Sequence, residues 1–125
     1  QKLYLPFIYV RPEPKKHGRQ NQIEGHAPAG VPIVVIEDLI STGKSSLNAV
    51  DAIQAQGHEV LGMLALFSYG FTVAEENFNT KNIALHTLSN YEHLLNYANK
   101  NNAIADNQMT TLSTWRQDPA NWSPQ

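Results

Sequence analysis

Short apolar runs alternate with stretches of helical spacing along this chain. Residues 3–10 read as a strand rich in aromatic and β-branched side chains. Residues 11–30 are the opposite, proline- and glycine-rich and charged, with almost nothing to bury, and read as a long mobile loop. Residues 31–36 form a continuous apolar run, the pattern of a parallel strand covered on both faces. Residues 44–56 follow with a helical stripe of Leu47, Val50 and Ile53, and Gly57 supplies the stop.

The second half repeats the alternation. A buried strand is expected over 59–67, a short helix over 73–80 and a strand over 83–88. Ser89 to Glu92 has the form of a capping box opening a helix with Leu94, Leu95 and Ala98 inward. Asp106 is the expected cap of a last helix carrying Met109, Leu112 and Trp115, which ends before Pro119. The order strand, loop, strand, helix, strand, helix, strand, helix, helix predicts an α/β fold with a mainly parallel sheet flanked by helices. No repeat or linker divides the 125 residues, so one domain over 1–125 is expected.

Composition narrows the function. The net charge of −2 offers no global positive field for nucleic acid or anionic lipid, so any anion site must be local. The absence of cysteine excludes disulfides, thiolate catalysis and Cys-ligated zinc, and suits a cytoplasmic protein. No apolar run approaches the length of a membrane span. His26, His58, His86 and His93 lack metal-ligand spacing, so no protein-held metal is expected. Because the chain opens inside a strand-like run, a missing upstream part is also expected.

The informative stretch is VPIVVIEDLISTGKSS, residues 31–46. A strand here delivers Glu37 and Asp38 to the edge where open α/β sheets bind ligands. Ser41-Thr42-Gly43-Lys44-Ser45 then leads straight into a helix, whose free N–H groups and dipole favour an anion. Gly43 permits close backbone approach, and Ser41, Thr42 and Ser45 add hydroxyl donors. An isolated acidic pair is ordinarily a solvated turn. Two acids beside an anion cradle make chemical sense when one ligand carries both hydroxyls and a phosphate, as ribose 5-phosphate does. Gly43-Lys44-Ser45 is not a P-loop, since the glycine required five residues earlier is Asp38. Lys44 is expected to point to solvent.

Apolar residues, two acids, two apolar residues and an STG turn resemble the phosphoribosyl-pyrophosphate signature of type I phosphoribosyltransferases. Preceded by Tyr9-Val10-Arg11-Pro12-Glu13-Pro14-Lys15-Lys16-His17-Gly18, EDLISTG resembles the bacterial orotate enzymes in particular. The likeness continues more weakly through Val60–Met63 and Trp115-Arg116. It implies a flexible catalytic loop over 11–30, in which Arg11, Lys15 and His17 contact pyrophosphate, and which reaches into the partner's site of a homodimer. It implies a ribose-phosphate loop over 37–45 made of Glu37, Asp38, Leu39, Ile40, Ser41, Thr42, Gly43, Lys44 and Ser45, with Ser41 also touching orotate. It further implies Mg²⁺ held mainly by the substrate. The sequence departs from some relatives at Pro12, where they have lysine and Lys16 is the nearest substitute, and at Ser68–Phe71, which lacks a base-holding arginine. A purine phosphoribosyltransferase and a non-catalytic ligand sensor share the ribose-phosphate signature, although a sensor has no need of the basic loop.

Overall fold

The computed structural model describes residues 3–12 and 22–123. The order of elements is β1 (Ile8–Val10), β2 (Ile23–Gly25), β3 (Ile33–Ile40), α1 (Lys44–Ala55), β4 (Val60–Ser68), α2 (Thr72–Lys81), β5 (Leu85–Asn90), α3 (Tyr91–Lys100) and α4 (Asp106–Gln117), with a 3₁₀ turn at Pro119–Asn121. β3, β4 and β5 form a parallel sheet in that spatial order. The alternating α/β organisation expected from the sequence is the one observed.

Helices α1 and α2 share one face of this sheet. Leu47, Val50 and Ile53 of α1 and Ala74 and Phe78 of α2 pack with Val35, Ile40, Met63 and Ala65 in the core. Ile40, Val50, Ile53 and Met63 are the largest fully buried side chains. Lys81 of α2 bridges to both carboxylate oxygens of Asp51 on α1, at 2.6 and 2.7 Å. That pair is about half exposed, so it ties the helices together with little net stabilisation.

Several expectations need correction. The 11–30 segment is not loop throughout: β2 lies within it, pairs antiparallel with β1, and sends Ile23 into the core. A three-residue strand carrying one buried side chain leaves no periodicity to read. The strand signal over 3–10 reduces to Ile8–Val10, and Leu3, Tyr4, Leu5 and Phe7 are exposed. The apolar run beginning at Val31 is covered on one face only among the described residues, since Val34, Ile36, Leu64 and Leu66 remain 45–66% exposed. The capping box at Ser89 is also displaced by one residue. Asn90 is the cap, its Oδ1 accepting from the His93 N–H at 2.9 Å. The buried stripe of α3 is therefore Tyr91 and Leu95, while Leu94 is half exposed. Asp106 is the first residue of α4 rather than its cap; the Gln108 side chain accepts from the Ala105 N–H just before it.

Candidate functional site

The C-terminal ends of the three parallel strands lie on one edge, and residues 37–45, singled out from the sequence, lie at the end of β3 there. β3 runs to Ile40, so Glu37 and Asp38 lie inside the strand and not beyond it. Successive strand residues face opposite sides of a sheet. Glu37 is accordingly half buried and Asp38 exposed. Neither carboxylate forms an ion pair or a side-chain hydrogen bond with another described residue, which leaves both able to accept from a ligand.

Ser41 and Thr42 are exposed, and the chain then turns at Gly43 into α1. Gly43 has φ +75°, in the left-handed region, and a Cβ there would lie 2.6 Å from the Phe78 ring. Both constraints demand glycine. No side chain caps α1 with a standard N-cap hydrogen bond, and its first turn holds no acid. The nearest local contact is a long one, Lys44 N–H to Thr42 Oγ1 at 3.4 Å. The helix thus presents donors and the positive end of its dipole toward the turn. Lys44 is exposed, as expected.

Two contacts hold this turn from outside. Asn77 Nδ2 of α2 donates to the Thr42 carbonyl at 2.9 Å. The Tyr69 N–H donates to the Ile40 carbonyl at 3.0 Å, joining the end of β4 to the residue before Ser41. Buried Ser68 accepts the Gly70 N–H on its Oγ at 3.0 Å. None of these long-range ties was legible in the sequence, because Asn77 and Tyr69 stand far from the motif and belong to no pattern of their own.

The neighbouring turn after β4 is covered by α4. Tyr69 contacts the rings of Phe67, Phe71, Tyr91 and Trp115 at centroid distances of 5.3–5.7 Å. Burial, and then the proximity of Tyr69, push the Tyr91 hydroxyl above the ordinary phenol value, while Arg116 pulls it back. A cleft of about 360 Å³ opens between β4, β5 and α2, lined by Ser68, Phe71, Glu75 and Asn90 among others. No residue of 37–45 lines it.

Of the three basic residues taken from the sequence, only Arg11 is described. It stands at the end of β1, where its Nε and Nη2 bind Glu24 Oε1 at 2.8 and 2.6 Å. Lys15, Lys16 and His17 lie outside the described residues. Among the described residues, no group of three or more His, Asp or Glu side chains could hold a metal ion.

A parallel β3–β4–β5 sheet flanked by helices, with an acid pair and a glycine turn at its C-terminal edge, has the architecture of the type I phosphoribosyltransferase fold. The chain is 56% identical, over 94% of its length, to the orotate phosphoribosyltransferase of Cytophaga hutchinsonii. The structure superimposes on Leishmania donovani UMP synthase with a TM-score of 0.74 and 25% identity, covering 92% of this chain and 24% of that one. It also matches Mycobacterium tuberculosis orotate phosphoribosyltransferase solved with 5-phospho-α-D-ribosyl 1-diphosphate, at TM-score 0.53 and 31% identity, over 62% of this chain and 45% of that one. No family model matches the chain. It is a homologue of the orotate phosphoribosyltransferases, and it spans 56% of the length of the Cytophaga relative.

Proposed function

We propose that residues 1–125 are the phosphoribosyl-pyrophosphate-binding core of an enzyme that transfers the 5-phosphoribosyl group to orotate, giving orotidine 5′-monophosphate and pyrophosphate. One observation carries the reading: two carboxylates without a partner among the described residues and a glycine turn at a helix N-terminus share the sheet edge. The identity with named orotate enzymes supports it.

Glu37 and Asp38 accept from the ribose 2′- and 3′-hydroxyls. Ser41, Thr42, Gly43, Lys44 and Ser45 surround the 5′-phosphate through backbone N–H groups and hydroxyls, with Leu39 and Ile40 setting the approach. Ser41 also touches the base. The opposite facing of the two acids divides their work, with exposed Asp38 the more accessible to ligand. Displacement at the anomeric carbon builds positive charge on the ribose ring and negative charge on the departing pyrophosphate. Lys15 and His17, which lie outside the described residues, and Arg11 stabilise the latter. For Arg11 this requires that the guanidinium leave or share Glu24.

Mg²⁺ would arrive with the substrate, with Glu37 and Asp38 the carboxylates nearest the ribose. When bound, the ion neutralises charge on the pyrophosphate. The protein acts as a cytoplasmic homodimer in which Arg11, Lys15 and His17 serve the neighbouring site. Among the described residues no helix is long and apolar enough to cross a membrane.

The test is consumption of orotate by the intact protein with Mg²⁺ and phosphoribosyl pyrophosphate, followed by ultraviolet absorbance. Turnover of hypoxanthine or adenine in place of orotate contradicts the base assignment. Binding of phosphoribosyl pyrophosphate without turnover of any base favours a ligand sensor.

A further inference from the structure

We infer that Arg116 is a positioning residue of this site, holding the turn after β4 against the end of β3 and thereby fixing the ribose-phosphate turn. The inference rests on the ribose-phosphate reading of residues 37–45. Arg116 Nε donates to the Tyr69 carbonyl at 2.9 Å, and its Nη2 donates to the Gly70 carbonyl at 3.0 Å. Tyr69 in turn donates its N–H to Ile40, the residue before Ser41. A continuous set of hydrogen bonds therefore runs from α4 through 69–70 to the start of the STG turn.

The geometry is specific to a guanidinium. Two donors of one rigid planar group meet two successive carbonyls, which a lysine ammonium cannot match. The contact is also close. Gly70 has φ +66°, and a Cβ there would lie 2.7 Å from Arg116 Nη2, so a side chain at this position would displace the guanidinium tip from the fork. No described carboxylate pairs with Arg116, and α4 contributes no buried residue to the core. The helix meets the sheet edge through Trp115, which packs on Tyr69 and Phe71, and through this fork.

The experiment compares wild type, Arg116→Gln and Arg116→Lys in the intact protein, measuring steady-state constants for phosphoribosyl pyrophosphate and the melting temperature. Loss of both charge-assisted bonds should raise KM for phosphoribosyl pyrophosphate roughly tenfold and change kcat by less than about threefold. Lysine keeps the charge and the stem but loses the fork, so its KM should still rise about threefold. A lowered melting temperature with wild-type KM in either folded variant would make Arg116 merely structural and overturn the inference. If Arg116→Gln does not fold, Arg116→Lys decides alone by the same criterion. Failure of the wild type to bind or use phosphoribosyl pyrophosphate overturns the ribose-phosphate reading itself, which separates the two claims.

Discussion

Asn77 of α2 donates its side-chain amide to the carbonyl of Thr42 across 35 residues of sequence, at 2.9 Å. This contact and the Tyr69–Ile40 bond grip the STG turn on both sides of its exposed hydroxyls. A turn held in this way needs little reordering when an anion arrives, and lost ordering cost appears directly as affinity.

Asn77→Ala should therefore weaken binding of phosphoribosyl pyrophosphate more than it weakens the fold. A neutral hydrogen bond contributes about 1 kcal/mol, so the affinity should fall about fivefold. Titration calorimetry on the intact protein measures this. Unchanged affinity would mean that the turn holds its shape without α2.

Gly43→Ala should be more severe, because it places a Cβ against Phe78 and forces a non-glycine residue to φ +75°. Backbone strain alone should destabilise by about 1–3 kcal/mol, with loss of ligand binding in addition. Chemical denaturation and calorimetry check the two effects separately. A variant with wild-type stability would show that the α2–turn packing is looser than described.

Asp38→Asn keeps the shape of the side chain and removes the charge. Loss of a charge-assisted bond to a ribose hydroxyl should cost roughly 1.5–3 kcal/mol of ligand affinity. The fold should be unaffected, since the side chain is exposed and meets no described partner. Ribose 5-phosphate is the ligand to titrate, because inorganic phosphate alone should not distinguish the variant from wild type.

The helices and the parallel strands were readable because each presents several apolar positions at one period; Leu47, Val50 and Ile53 mark α1 unambiguously. The glycine turn into α1 is legible for a different reason, since Glu37 to Ser45 lie consecutively in one motif. β2 was hidden because a single buried residue, Ile23, carries it. The open face of the sheet was also misread. An apolar run such as 31–36 reports burial preference, not what covers it, and Ile36 is 66% exposed among the described residues. The supports of the turn, Asn77, Tyr69 and Arg116, come from three separate elements, and their convergence exists only in the folded chain.

Lys15 lies outside the described residues, and its role rests on the basic, proline-containing sequence of residues 11–17. Its replacement by alanine should change stability by less than about 0.5 kcal/mol. The chemical step should slow by roughly 10²–10³-fold if the lysine stabilises departing pyrophosphate. Mixing inactive Lys15→Ala protein with inactive Asp38→Asn protein should restore activity, because each hybrid dimer then holds one intact shared site. No recovery after verified subunit exchange would assign the loop to its own subunit.

Under the proposed function, residues 41–45 hold a ribose-borne phosphate while Glu37 and Asp38 hold its hydroxyls. Backbone amide resonances of the intact protein, titrated with ribose 5-phosphate and separately with inorganic phosphate, check this arrangement. Both ligands should shift Thr42, Gly43, Lys44 and Ser45 in a saturable manner, and only ribose 5-phosphate should also move Glu37 and Asp38. Saturable shifts centred elsewhere, with the 41–45 amides unmoved, would contradict the assignment of this site.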